Sequence, residues 1–137
     1  MAGSFNNYLE RKVLDLIFGS TAFAVPAFLY IGLSLTTIGE DGTGITEPAG
    51  VSYCRAAIMN DKSRFTVAAG TPTQLNNSII FAFVQAEENW GTITDYFISD
   101  AIMAGNILAY GSLTVPKIIS VGDTTTFEIG DFVIGLD

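Results

Sequence analysis

Beyond Gly19 the sequence never again sustains a helical apolar period. Apolar side chains instead recur in short runs, many alternating with polar ones and broken by glycine and proline. A chain patterned in this way folds as β-sheet. In residues 28–35, Leu29, Ile31, Leu33 and Leu35 fall on one face. Residues 53–59 and 64–68 supply the next strands, and residues 70–77, which include Pro72, form a polar connection. Residues 78–85 are apolar on both faces, with Ile79, Phe81 and Phe83 on one and Ile80, Ala82 and Val84 on the other. That pattern predicts a strand covered on both sides. Strands over 92–99, 106–113, 117–121, 124–129 and 132–136 complete the chain, with Gly122-Asp123 and Gly130-Asp131 as turns.

Ahead of this lies one helix. Leu9, Val13, Leu16 and Ile17 define an apolar face that Leu14 and Phe18 widen, and Glu10, Arg11, Lys12 and Asp15 fall largely opposite. Arg11 and Asp15 are spaced for an i, i+4 ion pair. Ser4 or Asn6 can cap the start and Gly19 can end it, so the helix is predicted over 6–18. The expected fold is mainly β: one domain over residues 1–137, a β-sandwich of short antiparallel strands with an N-terminal α-helix on an edge or end. Residues 36–50 hold glycines at 39, 42, 44 and 50 with Glu40, Asp41, Glu47 and Pro48. They read as a long flexible loop, and long loops in compact domains tend to be functional.

Charge and residue usage narrow the chemistry. The 14 acidic and six basic residues give −8 at pH 7, so phosphate backbones repel the chain and no direct nucleic-acid partner is expected. No histidine occurs, which removes the commonest general base and metal ligand together with Ser-His and Cys-His pairs. Cys54 is the single cysteine, so neither an intrachain disulfide nor a cysteine zinc site can form; within its apolar run it reads as a small core residue. A glycosidase would need two carboxyl groups about 5–9.5 Å apart. Glu87, Glu88 and Asp95 are the candidates, with Trp90 as a sugar platform; the plainer reading makes 87–89 a solvated turn and Trp90 a core plug. Glu40 and Asp41 could offer oxygens to calcium, but without EF-hand spacing a solvated turn is the simpler reading. The expectation is a protein with no catalytic residues, cofactor or metal.

No secretory signal is visible at the N-terminus, and the apolar stretch 22–35, interrupted by Pro26, Gly32 and Ser34, is too short to cross a bilayer. The chain is expected to be made in a host cytoplasm, without a membrane partner. Only 15% of residues are charged and 49% are apolar, enough for one core with apolar surface to spare, which points to a second surface buried in an assembly.

Several segments, in order, carry a resemblance. They are Asn7-Tyr8-Leu9-Glu10, Val13-Leu14-Asp15, Phe18-Gly19-Ser20-Thr21-Ala22-Phe23, Leu29-Tyr30-Ile31-Gly32-Leu33-Ser34, Thr46-Glu47-Pro48, Tyr53-Cys54-Arg55-Ala56, Trp90-Gly91-Thr92-Ile93-Thr94 and Gly105-Asn106-Ile107-Leu108. The sequence resembles small tailed-phage virion proteins, tail-fibre-like or similar to cyanophage capsid cement (decoration) proteins, with no firm correspondence over 61–77. The resemblance implies a virion structural role without catalysis. A short chain free of repeats fits cement better than a fibre shaft: a decoration protein that clamps neighbouring major capsid proteins on the head shell. The alternative is a tail-fibre or tail-tip module for host attachment. Expected partners are copies of itself, as dimer or trimer, and the major capsid protein or another virion protein. Candidate contact residues are Tyr8, Arg11, Lys12 and Asp15 on the helix and Glu40, Asp41, Thr43, Ile45 and Glu47 in the loop.

Overall fold

The protein is described by a computed structural model covering residues 3–136. Along the chain run β1 (Gly3–Phe5), α1 (Asn7–Phe18), β2 (Phe28–Ser34), β3 (Ala56–Met59), β4 (Gln74–Asn76), β5 (Phe81–Ala82), β6 (Gly91–Ser99), β7 (Ile107–Ile119), β8 (Thr126–Phe127) and β9 (Val133–Gly135). Seven strands form one sheet in the order β3-β2-β6-β7-β1-β9-β4, and β5 pairs with β8 in a small second sheet. The fold is mainly β and sandwich-like, with one helix at the N-terminus. Pairing is antiparallel throughout except for β1 beside β9, which is parallel.

The alternation in the sequence sets which face is the core. Leu29, Ile31 and Leu33 on β2 join Tyr96 and Ile98 on β6 and Ala109 on β7 in one apolar cluster. A layer of phenylalanines from the second half of the chain closes over it. Phe132 is its hub, with ring centroids 4.8 Å from Tyr96, 5.0 Å from Phe127 and 5.5 Å from Phe81. Asn77, fully buried, ties this layer together. Its amide donates to the carbonyls of Ile79 and Glu128, and its Oδ1 accepts from the N–H groups of Gly130 and Phe132. A buried amide satisfied on both sides fixes the two segments in register.

The opposite face of the large sheet carries Phe97, whose ring lies across Gly32 on the neighbouring strand. A Cβ at position 32 would sit 2.1 Å from Phe97 Cζ.

Several expectations are corrected here. The helix begins at Asn7, with Asn6 as its cap rather than its first residue. The strand expected over 53–59 starts only at Ala56, and 64–68 contributes a bridge at Phe65 to Asn77 instead of a strand. The expected connection 70–77 contains β4, which pairs with β9. Strands expected at 106–113 and 117–121 are one element, β7. Its register against β6 jumps from Asp95–Ser112 to Ile93–Lys117, so residues 113–116 bulge out and Pro116 needs no ladder partner there. Residues 78–85 form only the short β5 and are covered on one side: Phe81 and Phe83 are buried, whereas Ile80, Ala82 and Val84 are exposed. Cys54 is exposed instead of lying in the core.

Because Phe97 occupies the space a side chain at 32 would need, Gly32→Ala is expected to lower stability by about 1–3 kcal/mol, the usual cost of overpacking. Thermal unfolding followed by circular dichroism reads this directly, and an unchanged midpoint would mean that the ring does not lie over Gly32.

Candidate interaction surface

Helix α1 starts where Asn6 Oδ1 accepts a hydrogen bond from the Tyr8 N–H at 3.0 Å, satisfying one of the open donors of the first turn. Glu10 in that turn complements the helix dipole; the last turn has no basic residue. Tyr8 and Leu9 pack against the core cluster, and Lys12 Nζ lies 5.5 Å from the centre of the Tyr8 ring. Arg11 and Asp15 are exposed and do not form the expected ion pair; among the described residues the ion pairs are Glu47–Arg55 and Asp61–Arg64.

The apolar face of the helix is only partly used. No residue of α1 is buried. Leu14, Leu16, Ile17 and Phe18 are 59%, 52%, 63% and 81% exposed, because the sheet beneath supports only the first half of the helix. Leu9 packs on the core, whereas the last turn and a half of the apolar face does not.

Residues 36–50 are irregular but anchored, which corrects the reading of a flexible loop. Leu35 N–H donates to the Thr46 carbonyl, Ile38 N–H to Asp95 Oδ2, and Thr36 Oγ1 to the Gly44 carbonyl. Ile38 and Pro48 are buried. At Gly44 φ is +84° and a Cβ would come 2.6 Å from the Thr37 carbonyl oxygen, so the turn requires glycine. The loop meets the helix start, where Asn7 N–H donates to the Glu40 carbonyl. Asp41 Oδ1 accepts from the hydroxyl and then the N–H of Thr43, in that order the causes that hold its carboxyl below its ordinary range. Ile45 is half-buried. Thus Tyr8, Arg11, Lys12 and Asp15 share one helix, and Glu40 adjoins its start.

Glu47 is directed elsewhere. Its carboxylate takes two parallel hydrogen bonds at 2.9 Å from Arg55 Nε and Nη2, and a third from the Tyr53 hydroxyl. Arg55 Nη1 donates to the carbonyls of Ala101 and Ala104, and the guanidinium lies 4.9 Å from the centre of the Phe97 ring. Every nitrogen of this buried cation is engaged. Burial pushes the Tyr53 hydroxyl far above its ordinary value, so it remains a proton donor to Glu47. Cys54, between these two residues, faces a cleft of about 310 Å³ that Met103 and Pro48 help line.

The carboxylates considered for sugar chemistry are separately accounted for. Glu88 accepts from the Ser52 hydroxyl and N–H. Trp90 is buried with Nε1 donating to Ser52 Oγ and its ring edge-on to Tyr53, so it plugs the core and offers no face to a sugar. Asp95 is buried and accepts from Ile38 N–H and Ser112 Oγ.

These features define a β-rich structural module with one uncovered apolar helix end. Residues 4–135 match the family model described as Podophage GP4 fiber I protein gp80, and the chain belongs to that family. It is accordingly a bacteriophage virion structural protein. No curated protein matches the chain. No helix among the described residues is long and apolar enough to cross a membrane.

Replacing Arg55 by Met leaves the Glu47 carboxylate without its cation and with the Tyr53 hydroxyl as its remaining donor. Truncating one member of a fully buried pair costs about 3–5 kcal/mol; Glu47 retains 28% side-chain exposure, so a loss of about 2–3 kcal/mol in urea unfolding is expected. A loss within error of zero would show that the pair does not hold the loop.

A second expectation concerns acid. The Ser52 hydroxyl, and then its N–H, hold the Glu88 carboxyl below its ordinary value of 4.5. Its contribution is therefore fully present above 4.5 and fades as pH falls through the lowered folded value. The stability difference between wild type and Glu88→Gln should shrink across that window, because the other depressed carboxylates, Asp41 and Asp61, are common to both proteins. A difference constant from neutral pH into acid would exclude an ionised clamp.

Proposed function

We propose that this chain is a module of a phage tail fibre, holding or extending the fibre by contact with another virion protein, and that it works without catalysis. The observation that carries this reading is the match of nearly the whole chain to a fibre protein family. It favours the fibre over the capsid-cement reading, in which the same module would clamp major capsid proteins. The absence of repeats suits a compact attachment or terminal piece better than a long shaft. Engagement of Glu88 and Asp95 in hydrogen bonds that hold loops, with no histidine anywhere in the chain, supports a mechanical role. The net charge of −8 supports protein rather than nucleic-acid partners.

Gold-labelled antibody against the purified chain, applied to intact particles under the electron microscope, distinguishes the two readings. Label along or at the base of the tail is expected. Label spread over the head shell would replace the fibre assignment with cement.

A further inference from the structure

The least explained feature of the molecule is the end of α1 and the segment that follows it. Leu14, Leu16, Ile17 and Phe18 surround the helix axis, so its last turn is apolar on nearly every side and interrupted only by Asp15. A helix that is apolar all round is ordinarily buried. Val25 and Phe28, farther along, are also exposed.

Two arguments identify what covers it. The first is area. Six side chains between 43% and 81% exposed leave on the order of 600 Å² of apolar surface along one stretch of chain. Most of it belongs to the four side chains of the helix end, an area in the range of the largest patch usual on a monomer, which is often functional. The second is charge. The chain carries −8, so most of its surface repels another copy of itself. Residues 7–28 are locally neutral, with two acids, Glu10 and Asp15, balanced by two bases, Arg11 and Lys12. Here copies meet without like-charge repulsion, and Arg11 or Lys12 of one can approach Asp15 of another.

We infer that the C-terminal half of α1, with Val25 and Phe28, is the surface through which copies of this chain associate. The inference is independent of where on the particle the protein sits. The polar helix residues Arg11, Lys12 and Asp15 form the rim of this contact, and the apolar end its centre.

The test uses the full chain in solution. Wild type is expected to associate with rising concentration in sedimentation velocity. Ile17→Glu with Phe18→Glu should weaken association at least about tenfold, as loss of central contacts does. Both side chains are exposed in the single chain, so at concentrations where wild type and variant are both monomeric the circular dichroism and unfolding midpoint should not differ. Val115→Glu with Ile118→Glu, on the exposed far half of β7, is the control and should leave association intact. A short bismaleimide should join copies of Ile17→Cys in a Cys54→Ser background, and should not join copies of Met103→Cys in that background. A wild type that stays monomeric at every soluble concentration would overturn the inference, as would a helix variant that associates like wild type or a control variant that does not. So would partition of monomeric wild type onto phosphatidylcholine vesicles, since the helix end would then be a membrane contact.

Discussion

A buried guanidinium organises the face of the sheet that the apolar core does not use. The inner face is closed by phenylalanines, which need only shape and area. The outer face is closed by irregular chain, whose backbone donors and acceptors must be satisfied individually. Arg55 supplies much of that. Its two edges reach the Glu47 carboxylate on one loop and the Ala101 and Ala104 carbonyls on another, while its plane rests on Phe97. One planar cation with five donors therefore joins two loops to one strand, and a lysine could not replace it. Gly32 belongs to the same arrangement, because the Phe97 ring lies in the volume its side chain would fill.

Much of the fold was legible in the sequence wherever a local rule operated. The helix end followed from Gly19, and β2 from its alternation. What escaped depended on neighbours far along the chain. Two strands were expected at 106–113 and 117–121; they are one element because Pro116 lies in a bulge where β6 makes no demand on it. Residues 78–85 read as a doubly covered strand because both faces are apolar; the small second sheet is an outer layer, and Ile80 and Val84 have nothing above them. Periodicity reports which residues share a face, but not whether a second layer exists to meet it.

The same limit governs the candidate surface. Glycine, acid and proline in 36–50 suggested mobility, yet the residues that anchor this segment, Asp95 and Arg55, lie outside it. Glu47 read as a contact residue because nothing in sequence paired it with an arginine eight positions on across a loop. On the helix, the charged side chains drew attention as the outward face. The apolar stripe does not read as a contact surface, because an amphipathic helix normally buries it. Whether Leu14 and Phe18 are covered depends on how far the sheet extends beneath them, a property of β1 and β7 rather than of α1.

In the β-body, polar groups are matched with care: Asn77 is satisfied at both ends of its amide, Arg55 at every nitrogen, and Glu88 and Asp95 are each held by two donors. In the stretch from Leu14 to Phe28 the large side chains have few internal partners, although the same chain could have kept them polar at no cost to its core. Apolar surface left in water is unfavourable by about 25 cal/mol per Å². Burial against a second copy removes that penalty, so the uncovered helix end makes physical sense as half of a contact that assembly completes.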